Sequence, residues 1–138
     1  MKISSIRIER LQVPLDPPFD AAWDPVPRQT FGATVVRVET DEGVVGIGSG
    51  DTMAGFSDFE DLFIGRDPLA IAHHVRVLET IDFHAGRYWP LEVALWDIVG
   101  QVEGRPVAAL FGGRLDGMPA YASCGSLLPP VERAESAL

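Results

Sequence analysis

The residues of this chain that could move a proton or hold a metal are few, and their spacing is informative. A general base working near neutral pH asks for a histidine, a lysine of lowered pKa or a carboxylate of raised pKa. The chain has one lysine, Lys2, on a terminal strand, where a solvated charge is the simplest reading. Its three histidines are His73, His74 and His84. His73 and His74 are adjacent on a helical stretch, so their side chains diverge and do not converge on one ion. His84 falls in a connection. A magnesium site needs several oxygen ligands meeting at a point. Beyond Met118 the only acids are Glu132 and Glu135, three apart on a closing helix and read as a solvated face. Cys124, the single cysteine, follows an apolar stretch with no histidine near it in sequence, and reads as a small packed thiol. Ser123-Cys124-Gly125-Ser126 lacks the G-x-S-x-G pattern of a nucleophile elbow. Gly46-Ile47-Gly48-Ser49-Gly50 lacks the register of a dinucleotide-binding loop; its glycines are expected to let two loops approach the end of a hairpin. Asp97 sits between Trp96 and Ile98 in the most apolar helix and needs a partner, with backbone amides or an arginine as the expected ones. The residues thus offer no catalytic constellation and no metal-ligand set.

The elements that would position these residues can be read from periodicity. Lys2 to Val13 alternates as a half-buried strand with an irregularity at Ser4-Ser5. Pro14 to Gln29, with five prolines and the aromatics Phe19 and Trp23, reads as a long loop. Thr30 to Thr40 is a second strand with Val36 and Val38 on one face. Asp41-Glu42-Gly43 makes a tight turn, and Val44 to Ser49 is a third strand. After a second loop, Gly50 to Ser57, the segment Asp58 to Ile64 is expected to be helical. Asp67-Pro68 starts a helix with a buried stripe of Ile71, Val75 and Leu78. Ile81 to Trp89 is a connection. Leu91 to Val102 is a helix apolar on nearly every side, which predicts burial between two layers. Val107 to Phe111 is a short helical turn stopped by Gly112-Gly113. Met118 to Ser123 reads as a strand, and Val131 to Leu138 opens another helix. Three strands followed by helices make an α+β domain: an antiparallel meander, then the first unit of a βα series.

Composition limits the function classes. The chain has 138 residues, 46% hydrophobic and 22% charged, as a folded domain does. Its net charge of −9 argues against non-specific contact with nucleic acid or an anionic membrane. Met1-Lys2 leads directly into strand-like alternation, which predicts no signal peptide. No apolar run reaches the roughly 20 residues of a membrane span. One cysteine permits no intrachain disulfide and suits the cytoplasm.

Ala94-Leu95-Trp96-Asp97-Ile98, Gly100, Gly104, Pro106-Val107, Leu110, Gly112-Gly113 and Tyr121-Ala122-Ser123 together resemble the enolase superfamily, in particular its mandelate racemase and muconate lactonizing enzyme branch. Gly65-Arg66-Asp67-Pro68 and Thr40-Asp41-Glu42-Gly43 fit the same pattern. The resemblance implies an N-terminal α+β capping domain, residues 1–113, and the start of a C-terminal (β/α)8-type barrel in 114–138 that is truncated here. It implies an enzyme using Mg2+ on barrel carboxylates to remove the proton α to a carboxylate, as a racemase, cycloisomerase or acid-sugar dehydratase. None of the family's metal ligands or general bases has a counterpart in this chain, so the 138 residues alone are expected to bind no metal and to be inactive. The resemblance carries over two substrate-capping loops, Pro17 to Arg28 and Asp51 to Phe56, with Phe19, Trp23, Met53 and Phe56 as the residues that shape a pocket and exclude water. Asp51 is not expected to transfer protons. The implied partners are a small carboxylate substrate, the missing barrel and further copies in a homo-oligomer. The other reading is a non-enzymatic binding or dimerisation module that uses the bare helix face.

Overall fold

The computed structural model describes residues 1–50, 52–85, 88–114, 117 and 119–120, with only the backbone of 83–85. It places these residues in two compact units. One comprises Met1–Leu11 and Ala33–Leu115, and the other contains Gln12–Gly32. Strands β1 (Ile3–Phe19), β2 (Arg28–Thr40) and β3 (Val45–Gly50) form a three-stranded antiparallel sheet in the order β1-β2-β3. Two 3-10 turns follow, Phe56–Asp58 and Glu60–Leu62, then helices α1 (Ile71–Ala85), α2 (Trp89–Glu103) and α3 (Val107–Leu110). No helix of the described residues is long and apolar enough to cross a membrane. The α+β meander expected from the sequence is therefore present. The predicted strand at Met118 to Ser123 and the closing helix lie outside the described residues, apart from Pro119 and Ala120, which carry no strand.

The β2–β3 register runs from Thr34 opposite Gly50 to Glu39 opposite Val45. Gly43 makes the turn at φ 82°, a conformation that costs L side chains energy. Strand β1 continues to Phe19, six residues beyond the expected end, and takes in Pro14, Pro17 and Pro18. A proline removes a ladder donor, and an edge strand tolerates that loss. The expected long loop thus shrinks to residues 20–27.

In the first unit, Ile3, Ile6, Val36 and Val38 from the sheet meet Leu91, Leu95 and Ile98 from α2 and Leu78 and Ile81 from α1. The helix expected at Asp58 to Ile64 is instead two 3-10 turns. Phe56 and Phe59 stand three apart, the repeat of a 3-10 turn, and both pack inward. Helix α1 begins at Ile71 because Asp67 spends its side chain on a local turn: its Oδ1 accepts the Leu69 N–H at 3.0 Å. It then runs on to Ala85, through half of the expected connection. Its buried positions are His74, Leu78 and Ile81, while Ile71 and Val75 are half-buried, so the stripe is turned from the expected Ile71-Val75-Leu78.

Helix α2 lies directly on β3, and the glycines of the strand make this possible. A Cβ on Gly46 would stand 2.0 Å from the Ala94 carbonyl oxygen, and one on Gly48 would stand 2.0 Å from that of Pro90. The alternating glycines therefore admit the helix backbone, not the two loops expected to approach there. One face of α2 is in the core through Leu91, Ala94, Leu95 and Ile98. Val93 and Val102 lie on the exposed side at 44% and 42%.

Candidate capping site

The second loop is anchored from beneath. Met53 and Phe56 are 2% and 1% exposed, and both belong to the core. The Phe56 ring meets Tyr88 edge-on at 5.3 Å and Phe63 at 5.7 Å, geometries that aromatic quadrupoles favour. The Tyr88 hydroxyl donates to the Ala54 carbonyl at 3.0 Å, and the Tyr88 N–H donates to Asp82 Oδ1 at 3.0 Å. Burial, with Asp82 and Asp58 nearby, holds the phenol above its ordinary pKa, so it remains a donor. Thr52 Oγ1 accepts the Ala54 N–H at 3.1 Å, and Gly55 turns the chain at φ 77°. A cavity of about 400 Å3 opens beside this loop, lined by Ile8, Arg10, Met53, Gly55, Phe56 and Ser57.

In the other unit, Phe19 ends β1 and Trp23 lies in the loop that follows, and their rings meet edge-on at 6.2 Å. Trp23 is 63% exposed, while Ala21 between them is buried. The Asp24 N–H closes a turn onto the Ala21 carbonyl at 3.1 Å, and the Asp24 carboxylate pairs with Arg28. That hydrogen bond holds the Asp24 carboxyl below its usual range. The structure thus brings Phe19 to Trp23 and seats Met53 and Phe56 in one core, each pair within its own unit. Periodicity alone did not single out Tyr88 or Arg10. Arg10 follows Ile6 and Ile8 at strand spacing, on the same face of β1 but beyond the core, where it is exposed.

The remaining polar candidates have structural partners. Asp97 Oδ2 accepts the Ile47 N–H at 2.9 Å and a Gln101 Nε2 hydrogen at 3.1 Å, and Gln101 Nε2 also donates to the Val45 carbonyl at 2.7 Å. Two helix side chains thereby satisfy backbone groups that edge strand β3 leaves free. His74 is fully buried, stacked on Phe63 at 5.6 Å, with Nε2 bonded to the Asp67 carbonyl at 2.8 Å. That bond places the proton on Nε2. Nδ1 has no partner among the described residues, and burial lowers the ring's pKa. Asp51, Cys124, Glu132, Glu135 and the His84 side chain lie outside what the structure describes.

The magnesium implied by the resemblance finds no match among the described residues, where no three His, Cys, Asp or Glu side chains could hold an ion. Those residues do not fit a magnesium centre, and no chemical step is assigned to one in them.

The sequence matches the family described as "Mandelate racemase / muconate lactonizing enzyme, N-terminal domain" over residues 3–112. It is 30% identical over 127 residues to the cis-3-hydroxy-L-proline dehydratase of Roseibium aggregatum, covering 82% of this chain and 35% of that one. It is 29% identical to the N-succinyl-L-Arg/Lys racemase of Bacillus cereus, covering 99% of this chain and 40% of that one. An enolase-superfamily crystal structure from Roseovarius nubinhibens ISM, complexed with magnesium, superposes with a TM-score of 0.65 at 29% identity, covering 81% of this chain and 34% of the other. The chain therefore spans between a third and two fifths of the length of these relatives. An antiparallel meander under α2, the ALWDI helix and a match over nearly the whole described fold lead to one conclusion: this chain belongs to the mandelate racemase/muconate lactonizing enzyme N-terminal domain family of the enolase superfamily.

Proposed function

We propose that the chain is the substrate-capping part of a Mg2+-dependent racemase, cycloisomerase or acid-sugar dehydratase that abstracts the proton α to a carboxylate. Residues 1–113 form the cap, residues 114–138 open the barrel, and the metal and the acid/base groups belong to that barrel. The 138 residues alone are inactive, and the enzyme works in the cytoplasm as a homo-oligomer. The observation that carries this reading is the family match over residues 3–112, with a dehydratase and a racemase among the relatives. Phe19 at the end of β1 and Trp23 in the first loop offer an exposed apolar surface to the substrate. Met53 and Phe56 shape the second loop, which Tyr88 ties down at Ala54.

A chimera tests the reading. Residues 1–113 replace the matched segment of the Roseibium dehydratase, and α-proton exchange into deuterated water is followed by proton NMR. The expected result is a folded chimera that exchanges with an altered substrate preference, while the 138-residue chain exchanges nothing and shows no magnesium heat in calorimetry. A folded but inert chimera, or tight magnesium binding by the chain alone, would overturn the proposal.

One observation favours a second reading, a non-enzymatic dimerisation module. A cavity of about 430 Å3 on the outer side of α2 is lined mainly by Ile47, Val93, Trp96, Val107 and Phe111. Phe111 is 65% exposed and packs on Trp96 at 4.6 Å. Exposed apolar patches of this kind mark contact surfaces. A concentration-dependent specific dimer of the chain, in sedimentation, together with an inert chimera, would favour that reading.

A further inference from the structure

The cavity beside the second loop is locally basic in an acidic protein. The protein carries 20 acids against 11 lysines and arginines. The cavity lining nevertheless contains one guanidinium, Arg10, and no carboxylate. Alternation along β1 turns Glu9 to the opposite face. Asp58, next after Ser57, is not among the lining residues. Three other arginines are engaged: Arg7 pairs with Glu39 at 3.4 Å, Arg28 pairs with Asp24, and Arg105 donates to the Ala109 carbonyl at 3.0 Å. Arg10, exposed like the Ser57 hydroxyl, has no hydrogen-bond or ion-pair partner among the described residues, a state it shares with Arg37 and Arg76, and Ser57 has none either.

The rest of the lining is apolar or bare backbone: Ile8, Met53, Phe56 and Gly55. Met53 and Phe56 are immobilised in the core, so the floor is formed before any ligand arrives. A volume of about 400 Å3 lies at the small end of ligand sites. It suits a chain of a few carbons with one charged end. Guanidinium is the side chain best matched to a carboxylate, which it can hold through two parallel hydrogen bonds.

We infer that Arg10, with Ser57 across an apolar floor, forms a binding site for the terminal carboxylate of a short-chain acid. The inference rests on the capping reading for its biological meaning. There, Arg10 selects substrates that bear a second carboxylate, remote from the carbon that loses its proton. Arg10 is then a specificity residue and takes no part in proton transfer.

The test uses the 138-residue chain, nitrogen-15 labelled, titrated with n-butyrate, acetate and butyramide. Butyrate is expected to shift the Gly55 and Ser57 amides and the Arg10 Nε–H resonance with saturation. Acetate, lacking the stem, binds several-fold more weakly, and butyramide, lacking the charge, causes no saturable shift. Arg10→Met weakens butyrate about tenfold and Arg10→Lys less, because an ammonium cannot form the two-pronged contact. Arg76, which lines a separate groove with Leu62 and Val77, serves as the control, and Arg76→Met leaves butyrate binding intact. Equal butyrate shifts in the wild type and Arg10→Met, or an equal loss in Arg76→Met, would overturn the inference. The readout is binding, so the two proposals fail separately. Absent butyrate binding beside an active chimera sinks only the Arg10 site. Butyrate binding beside a folded, inert chimera sinks only the enzyme reading.

Discussion

Gly48→Ala is the substitution to which this fold should be most sensitive for its size. One methyl group would be placed 2.0 Å from the Pro90 carbonyl oxygen, 2.9 Å from the Ala94 nitrogen and 3.0 Å from the Pro90 carbonyl carbon. All three are backbone atoms, so no side chain can swing aside. Ordinary contact begins near 3.4 Å, so α2 must retreat from β3 by about 1.4 Å at that point. The same retreat would stretch the Asp97–Ile47 bond from 2.9 Å and the Gln101–Val45 bond from 2.7 Å beyond hydrogen-bonding range. Two lost hydrogen bonds cost about 1 kcal/mol each. Overpacking a well-filled interface costs about 1–3 kcal/mol more. The sum, about 3–5 kcal/mol, is a large share of the roughly 5–15 kcal/mol that keeps a domain folded. Urea denaturation followed by tryptophan fluorescence measures it. Gly43→Ala is the comparison: its Cβ meets nothing within 4 Å, and the cost there is the φ of 82° alone, about 1–2 kcal/mol. A Gly48→Ala protein within about 0.5 kcal/mol of wild type, or no worse than Gly43→Ala, would refute the argument that these glycines exist to seat α2.

Three further outcomes follow from single contacts. Asp97→Ala should cost about 1–2 kcal/mol in urea melts by orphaning the Ile47 N–H, whereas Asp97→Asn, which keeps an acceptor oxygen, should recover most of it. His74 is held neutral by burial, its folded-state pKa lying below the ordinary 6.5. The unfolded chain therefore takes up the proton first, and the His74 contribution to stability is constant above pH 6.5 and declines as pH falls below it. His74→Gln should flatten that part of the pH dependence in thermal melts, and an unchanged slope would contradict the assignment. Tyr88→Phe removes the hydroxyl that reaches the Ala54 carbonyl, so amide exchange at Ala54 to Phe56 should quicken while the helices keep their protection.

Much of the fold was readable because it is written in local periodicity. The alternation of Val36 and Val38, the turn at Gly43 and the stop at Gly112 follow from side-chain spacing and backbone freedom. The rest depends on distant contacts, which local spacing does not carry. The spacing of Ile71, Val75 and Leu78 predicts one phase for α1, but the buried face includes His74, which no apolar pattern would choose. It is buried because the Asp67 carbonyl and the Phe63 ring receive it. The spacing of Gly46 and Gly48 suggests loop clearance, because the helix they admit begins some forty residues later in the chain. Pro14, Pro17 and Pro18 signalled a loop, and only the position of β1 at the sheet edge permits a strand through them. Among the loop aromatics and methionine, residue type could not separate Trp23, which faces solvent, from Met53 and Phe56, which do not. The need of Asp97 for a partner was legible, whereas its partner on β3 was not.

The contacts from Asp97 and Gln101 also bear on aggregation. An open strand edge is a template on which like strands from other molecules can stack into fibrils. On β3, the donor of Ile47 and the acceptor of Val45 are already taken by two side chains of the same molecule. A recruiting strand would have to break those bonds and lift a helix away before gaining any of its own. The sheet is thereby terminated, and the three strands can fold at high protein concentration without seeding their own polymerisation along that border.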